Sequence, residues 1–202
     1  MPAIKIILTI SFLSGILFGI PAAALAHLPV FKSGGNENFS KAQKIFRPET
    51  AQMIFGKLQA GKTDFYKFKI AGPFNLHVQL LTPKSKKYAD FRPALAILGP
   101  GLDKTEDYVP FLIEEGLGAL VLYDKQQAAR ETFFDYGTLT RYFKGEEVRH
   151  YLTEPGDYWL AVFNLENQPG AYAIRISDKE NLGPAAILER IKGFFKIKLG
   201  LY

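Results

Sequence analysis

Residues Gly56 to Thr63, GKLQAGKT, match G-x-x-x-x-G-K-[ST] at every fixed position. In that pattern the backbone N–H groups of a glycine-rich loop cradle phosphates and the last hydroxyl holds magnesium. The chemistry needs a strand before the loop and a helix after it, because the helix N-terminus supplies the positive end of the cradle. AQMIF, 51–55, can be the strand, and Asp124, closing the apolar run ALVLYD, can act as the metal-binding acid. The residues after Thr63, DFYKFKIAGP, instead alternate with period two and run into Gly72-Pro73. The helix is missing, so the match is read as chance, and neither a nucleotide nor a nucleic acid is expected as ligand. The same residues read as a hairpin: a strand, a turn on Gly61 with Lys62 exposed, and a second strand opened by Asp64.

The other chemistry-bearing residues are sparse. Cleavage after Ala26 would leave His27 at the N-terminus, where the free amine and its own imidazole can chelate copper. A firm copper site needs a second histidine, and the chain offers His77 and His150. There is no cysteine, no nucleophile elbow and no paired zinc-ligand helix motif. Glu114-Glu115 and Glu146-Glu147 are adjacent acids, which on a strand point to opposite faces and so do not form a two-carboxylate site. No catalytic activity is expected. Phe133, Phe134, Tyr136, Tyr142 and Phe143 could form a platform for sugar rings or a partner protein, or close one end of a core, as buried aromatics do. Arg190, Lys192, Lys196 and Lys198, with the basic turn at Lys84, Lys86 and Lys87, could meet anionic lipid at about 1 kcal/mol per cation. The alternative is a solvated loop and a docked tail. NFS at Asn38 fits a glycosylation sequon.

These residues must be positioned by a largely β framework. Residues 1–26 join Lys5 to an apolar run, Pro21 and the small residues Ala22 to Ala26, the plan of a cleaved secretory signal. The chain carries +5 over 202 residues, which excludes neither a membrane surface nor a protein partner. Without cysteine an exported chain must be held by packing alone. After a lead-in over 27–49, residues 50–181 show short apolar runs bounded by turn residues. In DFYKFKI, Tyr66, Phe68 and Ile70 share a face; in NLHVQLLT, Leu76, Val78 and Leu80 do. ALAILGPG, ALVLYD, HYLTEPGDYWLAVFN and AYAIRISD continue the pattern, predicting an all-β antiparallel sandwich or jelly roll of seven or eight strands. Residues 124–147 read as a partly helical, aromatic insertion at one end. The basic tail, 182–202, is either a helix from Pro184, with Ile187, Ile191 and Phe194 at helical spacing, or a strand through FFKIKLGLY.

GKLQAGKTDFYKFKIAGPFNLHVQL resembles the middle of the bacterial pre-peptidase C-terminal domain, whose G-x-L … G-D-x-D-x-Y-x-F segment leads through a glycine turn into alternating leucines. NENFSKAQKI is similar to that family's opening, and EPGDYWLAVFN and PGAYAIRI to its closing strands. The resemblance spans 36–82 and 154–178. It implies a β-sandwich and a non-catalytic module of secreted hydrolases that aids secretion, solubility or substrate contact. It also implies calcium at positions near Glu37, Asn38 and Asp64. The expectation is therefore an exported binding or accessory module of the cell envelope, contacting a protein or glycan there. A copper protein using His27 and a peripheral membrane protein held by its tail are the alternatives.

Overall fold

The structure, a computed structural model, describes residues 27–124, 130–179 and 183–200; the expected signal segment lies outside them. Two sheets face each other. One contains β1 (Leu28–Phe31), β3 (Gln52–Leu58), β5 (Phe74–Pro83), β8 (Thr132–Asp135), β9 (Thr140–Leu152) and β11 (Gly170–Ile176), in the order β1-β3-β11-β5-β9-β8. The other contains β2 (Gln43–Lys44), β4 (Asp64–Ile70), β6 (Ala94–Gly99), β7 (Gly118–Leu122) and β10 (Gly156–Phe163), in the order β2-β4-β10-β6-β7. β1 and β2 pair in parallel with β3 and β4; every other pairing is antiparallel. The fold is an all-β sandwich, followed by a helix α1 (Pro184–Lys198).

The predicted faces hold. Tyr66, Phe68, Ile70, Leu76, Val78 and Leu80 all lie in the layer between the sheets, with Ile54, Leu95, Ile97, Tyr158, Leu160, Val162, Tyr172 and Ile174. The predicted pairing at the opening motif does not hold. Gly56–Leu58 end β3, a turn follows with Gly61 at φ 68°, and Asp64 opens β4, but β3 and β4 belong to different sheets. GKLQAGKT is an arch crossing the sandwich rather than a hairpin. Period-two alternation fixes which residues face the core and is silent about which strand lies alongside. Lys62 is exposed, as expected, and its ammonium lies 3.3 Å from Glu37.

Gly56 has a packing role. It sits opposite Tyr172 in the β3–β11 ladder, and the phenol lies across it so closely that a Cβ there would fall 2.4 Å from the ring. Tyr158 lies over Gly99 in the second sheet in the same way, within 2.1 Å of where a Cβ would be.

Two further expectations change. The lead-in contributes β1 and β2, which are too short to display alternation. Within 124–147, the described residues from 130 onward form a β8–β9 hairpin at the edge of the larger sheet; the helix expected at the start of that stretch falls on 125–129, outside the described residues. Both faces of this hairpin carry apolar residues, which erased the alternation that marks a strand.

Both outer faces of the sandwich are covered in part. On the smaller sheet Phe65, Ala94, Ala96, Leu98, Ala119, Val121, Trp159, Ala161 and Phe163 lie beneath Val109, Phe111, Ile113 and Leu117 of the long connection between β6 and β7. On the larger sheet Met53, Phe55, Leu81, Tyr142 and Ala173 cluster with Phe31 of β1 and Phe133 of β8, and Ile197 of α1 packs against them.

Candidate functional site

Asp64, at the mouth of the arch, is fully buried. Its carboxylate receives the Lys32 ammonium at 2.5 Å and the Tyr172 hydroxyl at 2.7 Å, and the Tyr172 and Tyr66 hydroxyls lie 2.6 Å apart. Burial pushes the Asp64 carboxyl up, against the pull of Lys32 and Tyr172. Burial likewise raises both phenols, so they stay protonated and act as hydrogen-bond donors. Asn36 closes the cluster through both backbone and side chain, its main-chain carbonyl accepting from Phe65 N at 2.8 Å and its side-chain amide donating to Phe65 O at 3.1 Å.

This settlement bears on calcium. Glu37 is near enough to raise Asp64 electrostatically, yet its carboxylate is paired with Lys62. The Asn38 side-chain oxygen accepts from Lys41 N at 3.0 Å and from Ser40 Oγ at 2.8 Å, capping a short 3₁₀ turn. Calcium takes six to eight oxygens, several of them carboxylate. Here the two carboxylates already hold lysines and the amide holds a cap, so the donor set does not fit the ion.

A second polar cluster occupies the outer face of the larger sheet. His77, on β5, is buried, with Nε2 2.7 Å from Glu147 on β9 and Nδ1 2.8 Å from Asp178, which follows β11. Arg149 reaches Asp178 at 2.9 Å, and Arg175 and Arg149 reach Glu147 at 3.4 Å. Burial pushes both carboxyls up, but His77 and the arginines outweigh it and hold them below their usual values. His150 borders the same shallow groove, whereas His27 lines a cavity of about 20 Å³ with Asp135, Thr138 and Arg190, room for about one water. Among the described residues no group of three or more His, Asp or Glu is disposed to hold a metal. Asp124, the would-be magnesium ligand, instead pairs with Arg130 at 2.7 Å and Arg92 at 3.4 Å. Glu114, Glu115, Glu146 and Glu147 are exposed.

The five aromatics do not make one platform. Phe133 and Tyr142 are cross-strand partners on the outer face, with Tyr142 buried under the helix layer. Phe143 packs under the Arg130 guanidinium, 4.6 Å from its ring centre, and Phe134 meets Tyr136 edge-on. Of the five, Tyr136 alone is exposed.

One apolar surface that the fold leaves open is on α1. Pro184 at the first turn and Gly200 at φ 66° after the last bound the helix. Gly193 lets it lie against β1, since a Cβ there would fall 2.2 Å from Pro29. Ala186, Arg190 and Gly193 are buried by this docking, with Phe194 and Ile197 half-buried. Arg190, expected among the membrane-facing cations, is 3% exposed because it shares the docked face. Lys196 lies 4.2 Å above the Phe31 ring, Lys192 pairs with Glu189, and Lys198 donates to Leu139 O. Opposite the docked face, Ile187, Leu188, Ile191, Phe195 and Leu199 are 41–67% exposed. Four of these recur every fourth residue and so form one stripe. The helical spacing of Ile187 and Ile191 was legible, but not that they would turn outward while Phe194 turned in. No pattern in the sequence distinguishes which of two apolar faces docks.

Against known proteins, no family model and no curated protein matches the chain. One solved structure it is similar to is the pre-peptidase C-terminal domain of a collagenase from Bacillus anthracis. Identity is 19% and the TM-score 0.36, with 70% of this chain and 97% of that domain covered. The sandwich stands on its own strand pairings rather than on that likeness. Among the described residues, no helix is long and apolar enough to cross a membrane.

Proposed function

We propose that the protein is a non-catalytic accessory module, exported by its N-terminal segment, that attaches at the cell envelope through one face of its sandwich. The observation that carries this reading is the apolar stripe of α1, turned to solvent on a helix whose other side is already docked. A surface helix ordinarily presents polar residues outward. Contiguous exposed apolar surface of this kind marks an interaction site. The polar clusters support a structural rather than catalytic role for their members, because Asp64, His77 and Asp124 each meet partners from within the fold. The resemblance of residues 36–82 and 154–178 points the same way.

The test is fractionation of cells expressing the full chain, compared with the double variant Ile191→Ser/Phe195→Ser. Both positions are exposed, so the variant should fold, as circular dichroism will check. Export with stripe-dependent envelope association is expected. Equal association of the two chains, or retention of both in the cytoplasm, overturns the reading.

A further inference from the structure

Resting on α1 as the attachment face, we propose that its occupant is the surface of an anionic lipid bilayer. Three features of the stripe select this partner. First, it is a long ridge: from Ile187 to Leu199 at 1.5 Å per residue it runs about 18 Å along the helix, winding slowly across one broad face. An interfacial helix lies in the membrane plane with such a face sunk about 5–10 Å below the headgroups. Second, the residues are Ile, Leu and Phe with no polar residue within the four-residue repeat of Ile187, Ile191, Phe195 and Leu199, which suits hydrocarbon and offers a protein partner no hydrogen bond. Third, the charges flanking the ridge are complementary to anionic lipid. Lys192, Lys196 and Lys198 all lie on this helix, whose one acid, Glu189, is already paired with Lys192. Lys198 also donates to the main-chain carbonyl of Leu139, an exposed residue at the β8–β9 turn.

The geometry also sets the orientation. With α1 in the interface, the larger sheet faces the bilayer and the β6–β7 connection, on the opposite sheet, faces away. Lys192 and Lys196 are held only by a surface ion pair and a ring contact, so both can exchange those partners for phosphate at small cost.

The experiment uses the chain recovered from cells, its N-terminus read by mass spectrometry and identical in every variant, so that differences report the ridge alone. Co-sedimentation with phosphatidylcholine–phosphatidylglycerol vesicles is expected to be roughly thirtyfold tighter than with phosphatidylcholine alone, from a net helix charge of about two beyond the buried arginine. Ile191→Ser/Phe195→Ser should weaken binding at least about tenfold, and Lys192→Gln/Lys196→Gln should remove most of the anionic preference. Because the chain has no cysteine, Phe195→Cys and Leu112→Cys each accept a single polarity-sensitive dye. The dye at position 195 should shift to the blue on vesicles and the dye at position 112 should not. Wild-type binding that the serine variant retains, equal response of both dyes, or no vesicle binding overturns the lipid assignment. Ridge-dependent association in cells without vesicle binding would leave the attachment reading intact and place a protein on the ridge. Ridge-dependent dimers in sedimentation velocity would place a second copy there.

Discussion

The two outer faces of the sandwich are covered in different ways. Over the smaller sheet the chain lays Val109, Phe111, Ile113 and Leu117 into space left by Ala94, Ala96, Ala119 and Ala161, and Phe111 meets Phe65 and Phe163 edge-on at 5.1 and 5.8 Å. The residues between them, Pro110, Leu112 and Glu114, face solvent. That cover ends the apolar layering, leaving Tyr108 and Leu112 as the scattered exposed hydrophobes that any protein surface carries. Over the larger sheet, α1 buries one face and presents a second apolar face outward. One cover is part of the core; the other behaves as a core element that lacks its last layer. The difference separates apolar surface that stabilises the fold from apolar surface left exposed.

The largest expected effect lies between the sheets that these covers enclose. Asp64→Ala leaves the Lys32 ammonium without its carboxylate and the Tyr172 hydroxyl without an acceptor, in a site where Asp64 has no exposure. Breaking a buried pair from one side costs about 3 kcal/mol. The urea midpoint should fall accordingly with the slope unchanged; a loss within about 0.5 kcal/mol would show that the cluster is not holding the arch.

The next effect breaks or sharpens the comparison directly. Phe111→Ala should cost about 2 kcal/mol, below the range for a fully buried phenylalanine because Phe111 is half-buried. Phe195→Ser should change stability by less than about 0.5 kcal/mol, since its ring is 58% exposed. If the two variants lost similar stability, the helix ridge would be part of the folding core and not a surface held in reserve.

Acid should distinguish the two carboxylate environments. Glu147 and Asp178 have lowered values, so their contribution is present above the unfolded carboxylate value near 4 and is lost as pH falls through the folded ones. Asp64 is raised, so its contribution is present below that unfolded value and is lost as pH rises through the folded one. Glu147→Gln/Asp178→Asn should therefore flatten the acid limb of stability. The change should stay below about 1 kcal/mol, because both groups are more than a third exposed and water screens them. Urea midpoints measured at pH values on either side of 4 test it; an acid limb as steep as the parent's would exclude the His77 cluster as its source.

Much of the fold was legible for a simple reason: side-chain alternation is a local property, and the faces of β4 and β5 follow from it residue by residue. Partnership is not local. Tyr172 joins Asp64 across the sandwich, and Glu147 and Asp178 reach His77 from two other elements, so neither cluster has a spacing to recognise. The candidate surface was half legible. The cations of the tail stood out by type, but Arg190 turned inward and the face left exposed is largely apolar, because a helix with two apolar faces does not announce which will dock.

The smallest expected effect concerns the motif with the strongest sequence signal. Lys62→Ala should alter stability by less than about 0.5 kcal/mol, since the Lys62–Glu37 pair is exposed and such pairs contribute little. A phosphate loop would lose its ligand with that lysine; an arch between sheets loses only a solvated charge. Gly56, by contrast, cannot change cheaply: in Gly56→Ala the new methyl meets the Tyr172 ring and pushes its hydroxyl off Asp64, an overpacking cost of about 2 kcal/mol. Within one eight-residue match, the catalytic-looking lysine should thus be dispensable and the first glycine should not, and urea midpoints of the two variants side by side decide it. A Lys62→Ala loss as large as that of Gly56→Ala would mean that the loop has a role the arch does not explain.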